Sequence, residues 1–142
     1  MSDRQTKLNM LSSVPLFQGL SKRELSAIIK SAREVDHSAG SAILEEGTDG
    51  VGFHLILEGK ASVMTGNRKR AELGPGDYFG EMSLLDGMPR TATVTPMTEM
   101  RTLTIATWDF RPMMQKYPSI AQKMLIEMSR RLRDAYRDAV EH

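Results

Sequence analysis

Phe79-Gly80-Glu81-Met82-Ser83-Leu84-Leu85-Asp86-Gly87-Met88-Pro89-Arg90-Thr91-Ala92-Thr93-Val94 sets the acid Glu81 and the base Arg90 nine positions apart in a short apolar segment flanked by glycines. An ionised carboxylate only accepts hydrogen bonds, whereas a planar guanidinium donates two in parallel and stays charged when desolvated. That layout suits a phosphate carried on a ribose.

Outward from this segment the punctuation is that of β structure. Nine of the 11 glycines lie between Gly47 and Gly87, and neither the first 18 residues nor the last 55 contain any. Short apolar or alternating runs fill the same region, at 42–45, 53–58, 61–65, 70–73, 91–95 and 100–105, and predict strands. Gly59, Gly66-Asn67 and Leu73-Gly74-Pro75-Gly76-Asp77 supply reversals between them. The expected fold is mainly β with flanking helices (α+β). Its strands form an antiparallel β-roll, a jelly-roll-like double-stranded barrel whose closure would hide strand edges.

The ends of the chain carry helical signals. Ser21-Lys22-Arg23-Glu24 has capping-box spacing, and Leu25, Ile28, Ile29 and Ala32 follow on one face. Leu8 and Leu11 mark a short earlier helix, and 14–20 reads as the turn between the two. Thr107 is the expected cap of a helix ending near Tyr117, with Pro112 tolerated because it comes early. Pro118 then opens a last helix, in which Ala121, Leu125, Met128, Leu132, Ala135 and Ala139 recur as a seam. On its exposed face Glu127 with Arg131, Arg130 with Asp134 and Arg137 with Glu141 stand four apart and predict lacing ion pairs.

A chain of 142 residues fits one domain, spanning 1–142: helices at about 5–32, a roll at about 33–106 and closing helices at about 107–140. With 19 Lys plus Arg against 18 Asp plus Glu, there is no bulk attraction to nucleic acid or an anionic membrane. The absence of cysteine excludes a disulfide framework and thiolate metal sites. No apolar stretch approaches the roughly 18 residues that span a bilayer, and the polar start lacks a signal-peptide core, so a cytoplasmic protein without a membrane segment is expected.

The 79–94 segment closely resembles the phosphate-binding cassette of cyclic-nucleotide-binding domains, as in protein kinase A regulatory subunits, catabolite-activator regulators and nucleotide-gated channels. Val14-Pro15-Leu16-Phe17 with Gly19-Leu20-Ser21, the Leu57-Glu58-Gly59 turn and 73–81 are similar to that family's other recurring segments. The resemblance covers nearly the whole chain.

By that resemblance the ligand is cAMP or cGMP, bound as a signal rather than held as a cofactor. Arg90 holds the cyclic phosphate and Glu81 takes the ribose 2'-hydroxyl. From the residues alone, Arg90 pairing with Asp86 at the surface and Glu81 capping a short helix at 82–85 remain open. Gly80 lets the backbone pass close to the ligand, and Met82 and Ser83 aim backbone N–H groups at phosphate oxygens. Thr91 bonds a phosphate oxygen or a guanine amino group, or is an ordinary strand residue. Ala92 is small where backbone must approach phosphate. Val63 serves either as base wall or as core.

Other chemistry is not signalled. His37 and His54 stand 17 apart without a paired metal-ligand motif, Glu45 and Glu46 are adjacent, and Gly74-Pro75-Gly76 lacks the Lys-Ser/Thr tail of a phosphate loop. The chain is therefore read as a sensor and not an enzyme. Its last helix is expected to move on binding, with Tyr136 or the 130–133 segment reaching the purine, and to offer a homodimer seam. Two rival readings stand beside it: a scaffold or dimerisation module that binds no nucleotide, and the sensory fragment of a DNA-binding regulator or channel. No direct nucleic-acid contact is expected.

Overall fold

The computed structural model describes residues 4–43, 52–81, 84 and 92–141. Helix α1 (Arg4–Ser12) leads through a 3-10 turn (Pro15–Phe17) into α2 (Lys22–Ser31). Among the described residues seven strands follow: β1 (Arg33–His37), β2 (Gly52–Glu58), β3 (Ala61–Thr65), β4 (Arg68–Leu73), β5 (Tyr78–Phe79), β6 (Thr93–Pro96) and β7 (Met100–Ala106). Helices α3 (Thr107–Lys116) and α4 (Pro118–Glu141) complete the order.

The strands make two antiparallel sheets, one ordered β1-β7-β2-β5 and the other β4-β3-β6. The expected barrel closure is overturned, because among the described residues no ladder joins the two sheets. Closure would need an edge strand of one sheet to pair with an edge of the other. Strand β5 is only two residues long, and β4 turns exposed Arg68 to Glu72 toward solvent. Residues 42 and 43, expected to begin a strand, form coil and a bend in which the Ile43 N–H meets the Val94 carbonyl at 2.9 Å. The remainder of that 42–45 run lies outside the described residues.

Alternation along the central strands separates two cores. Phe53, Leu55 and Leu57 of β2, with Leu103 and Ile105 of β7, face the helices, where Phe17, Ile28, Phe110, Ile120 and Met124 close the larger cluster. Ile56 and Met100 face the second sheet, against Ala61, Phe79 and Val94. The segment read as a mere turn thus delivers Val14, Leu16 and Phe17 to the larger core. Gly59 carries the chain from one sheet to the other at φ +94, where an added Cβ would stand 2.4 Å from the Glu99 carbonyl oxygen.

Helix α2 starts as its sequence requires. The Ser21 side chain accepts from the Glu24 N–H, and the Ser21 N–H donates to Glu24 Oε1 at 2.8 Å. Glu24 is also buried, and it accepts the Ser119 hydroxyl and, at 2.6 Å, Lys123 Nζ from α4. Burial pushes this carboxyl up, but the hydrogen bonds from Lys123, Ser119 and Ser21 bring it down to about 2.

At α3 the cap differs from expectation. Ala106 occupies the N-cap without a side-chain bond, and Thr107 is already the first helical residue. Pro112 lies inside α3, yet the helix continues to Lys116 and closes with the Tyr117 N–H on the Met113 carbonyl at 2.9 Å.

On α4, Ile120, Met124 and Glu127 are buried, while two members of the expected seam, Leu125 and Leu132, are 66% and 72% exposed. The seam lies to one side of the face that docks. From Leu132 to Val140 every side chain is exposed. Where Glu127 with Arg131 and Arg130 with Asp134 were expected, the pairs are three apart, Glu127 with Arg130 and Asp134 with Arg137, and the Glu141 side chain lies outside the described residues. Among the described residues no helix is long and apolar enough to cross a membrane.

Candidate functional site

The acid end of the 79–94 segment is built from three elements. Strand β5 pairs with β2, setting Tyr78 against Leu55 and Phe79 against His54. Gly80 follows at φ +87, a conformation that glycine adopts without a Cβ clash and that turns the chain out of the strand. A helical turn begins at Glu81, and the Leu84 N–H donates to the Gly80 carbonyl at 3.1 Å. Leu84 is fully buried in the larger core and anchors this turn.

Glu81 is consequently held rather than free to seek solvent. Its side chain is 23% exposed, and Arg131 Nη2 from α4 lies 3.8 Å from its Oε2. That separation is an ion pair but too long for a hydrogen bond. Glu81 Oε2 is buried and has no hydrogen-bond partner among the described residues. Burial raises the Glu81 carboxyl, while the Arg131 charge and a hydrogen bond with Tyr78 pull it back. The Tyr78 hydroxyl is raised in turn, by burial first and then by the charge of Glu81, with Arg131 opposing. Strand β5, the Glu81 turn and α4 therefore meet in one electrostatic unit, and among the described residues its carboxylate has an acceptor without a hydrogen-bond donor.

Of the sequence-predicted residues, Gly80 and Glu81 stand together here, and Ala92 occupies a half-buried bend leading into β6. Met82, Ser83, Arg90 and Thr91 lie outside the described residues. Val63 is partly buried and packs on the inter-sheet core. Of the two stretches of the last helix expected to reach the purine, Tyr136 is 71% exposed, and Arg131 of the 130–133 segment stands beside Glu81. Tyr78 carried no sequence signal beyond its place three residues before the acid. Among the described residues no cluster of His, Cys, Asp or Glu could hold a metal ion.

Comparison with known proteins agrees with this architecture. The cyclic nucleotide-binding domain family matches residues 34–117. A cyclic nucleotide-gated potassium channel of Mesorhizobium japonicum is 38% identical over 113 residues, covering 80% of this chain and 31% of the channel. A CRP-like cAMP-activated global transcriptional regulator of Mycobacterium tuberculosis is 30% identical over 129 residues, covering 87% of this chain and 58% of the regulator. The chain thus spans less than two thirds of these relatives. Among solved structures, the N-terminal domain of a transcriptional regulator from Streptomyces coelicolor superposes with a TM-score of 0.83 at 32% identity, covering 89% of this chain and 94% of that one. The chain belongs to the cyclic nucleotide-binding domain family.

Proposed function

We propose that this chain is a sensory module that binds cAMP or cGMP and reports the binding through α4. The observation that carries the reading is Glu81: a partly buried carboxylate with one oxygen lacking a hydrogen-bond partner among the described residues, tied across 3.8 Å to the last helix. A ribose 2'-hydroxyl is a donor of the right size for that oxygen. Arg90 supplies the fork for the cyclic phosphate, with backbone N–H groups of Met82 and Ser83 beside it. Gly80 and Ala92 give the ligand close access to backbone, and Thr91 meets phosphate or base.

A ligand on Glu81 competes with or reinforces the pull of Arg131, so it favours one seating of α4 over another. The domain works as one unit over 1–142. Exposed Leu125, Ile126, Leu132, Tyr136 and Val140 on α4 support a second copy of this chain as partner.

Calorimetric titration with each nucleotide tests the reading. Saturable binding of at least one is expected, and ligand excess should raise the melting temperature by mass action. Arg90→Ala should weaken affinity by about one to three orders of magnitude, the loss from truncating one side of a buried charged contact. No heat and no thermal shift with either nucleotide would leave the ligand-free scaffold in its place.

A further inference from the structure

A run of polar side chains crosses the face of the four-stranded sheet that looks toward the second sheet. His37 Nε2 lies 2.9 Å from Thr102 Oγ1, Thr102 Oγ1 lies 2.9 Å from Thr104 Oγ1, and Thr104 Oγ1 lies 3.0 Å from His54 Nδ1. The strand register explains the alignment: His37 sits opposite Met100 on β7, and His54 sits opposite Thr104. Met100, Thr102 and Thr104 alternate onto the same face. His37 is partly exposed, whereas Thr102 is fully buried and His54 is 3% exposed.

Hydrogen counting constrains this chain. Three links need three hydrogens, and the two hydroxyls supply one each. If neither facing imidazole nitrogen carried a hydrogen, one link would set two acceptors against each other. If both did, one hydroxyl hydrogen would be forced out of the run. Thr102 is fully buried and Thr104 half-buried, and neither has a further side-chain acceptor among the described residues, so a hydroxyl hydrogen turned out of the run meets no side chain. The satisfied state has one facing N–H, on His37 or on His54 but not on both.

We infer that protonation of His37 at the surface sets the tautomer of buried His54 through the Thr102 and Thr104 hydroxyls. A protonated imidazole donates from both nitrogens. His37 must then donate to Thr102, Thr102 to Thr104 and Thr104 to His54 Nδ1, which places the His54 hydrogen on Nε2. Neutral His37 also allows the reversed run, with His54 Nδ1 as donor. The change arrives at a ring stacked on Phe79, with centroids 4.9 Å apart, and Phe79 leads directly into Gly80 and Glu81.

The charges around His37 leave it free to titrate. Asp36 is its neighbour on β1 and favours the cation, but Arg101 of β7 already holds Asp36 at 2.8 Å. Glu34 and Glu58 add their charge at Arg101. Burial lowers the His37 pKa below the ordinary 6.5, with Asp36 opposing, so the event falls on the acid side of that value.

Nitrogen-15 NMR of histidine-labelled protein reads both tautomer and charge in each ring. The His54 Nδ1 and Nε2 shifts should step together at the pH where His37 titrates, toward the Nε2–H form on the acid side. That step should vanish in His37→Gln, which cannot titrate, and in Thr104→Val, which breaks the run. His54 shifts that stay constant through the His37 titration would overturn the inference. So would a step that survives in His37→Gln, or a His37 that does not titrate while the protein is folded.

Discussion

Arg131 and Glu81 face each other across 3.8 Å, joining the last helix to the turn that follows β5. Glu81 is the more buried partner, and burial is the largest influence on it, so the pair is set by a poorly solvated carboxylate to which a cation has been brought.

Removing the cation exposes that balance. Arg131→Ala deletes an influence that lowers the Glu81 pKa, leaving burial less opposed, and the carboxyl should protonate at higher pH. In calorimetric titrations over an acid-to-neutral series, the acid-side loss of nucleotide affinity should begin at higher pH in this variant than in the parent.

Glu81→Gln separates binding from stability. An acid whose pKa is raised on folding destabilises the fold when ionised, above that pKa, and the penalty fades as pH falls through it. Gln carries no charge to desolvate. The variant should melt no lower than the parent at neutral pH in a thermal scan, while its nucleotide affinity drops at least tenfold, about 1.4 kcal/mol.

Glu24 shows the opposite sign. Its folded pKa of about 2 lies below the ordinary 4.5, so it contributes stability that is fully present above 4.5 and is lost as pH falls toward 2. Lys123 is 38% exposed, and solvent screening reduces the contribution to about 2 kcal/mol. Urea unfolding through that window should show a drop that is absent in Glu24→Gln, whose stability is already lower at neutral pH.

Two glycines with left-handed backbone give a paired test of close approach. Gly59→Ala meets the Glu99 carbonyl at 2.4 Å, while Gly66 at φ +60 has nothing within 4 Å of an added Cβ. Gly66→Ala should lose about 1 kcal/mol from backbone strain alone, and Gly59→Ala distinctly more, measured by denaturant midpoint.

The exposed residues of α4 predict assembly. Leu132→Glu should shift a dimer toward monomer in sedimentation velocity without lowering the monomer's stability, since Leu132 is 72% exposed. Met124→Ala, in the core of the same helix, should instead destabilise by about 2 to 5 kcal/mol.

What could be read from the sequence was mostly local. The Ser21 and Glu24 cap lies within four residues and formed as spaced, but the tie from Glu24 to Lys123 joins positions 99 apart and left no trace in any window. Strand β1 is polar because it is a sheet edge with exposed positions, so it showed no alternation. Whether two sheets close depends on which edges meet, and single-strand periodicity does not encode that. At the site, the acid and its glycine were legible as chemistry on a turn. Arg131 was legible only as part of the 130–133 segment and not as a partner of Glu81, because helical spacing offered it Glu127, whereas packing of α4 brought it to Glu81.

Beyond Arg131 the last helix leaves the body of the protein, with no side chain from Leu132 to Val140 buried. At 1.5 Å per residue this overhang is about 14 Å long. A tilt of about 10° at its root would swing the tip by roughly 2.5 Å. The Glu81 contact sits at the root of that lever, where a small shift of the Glu81 turn is amplified into a larger displacement of the tip.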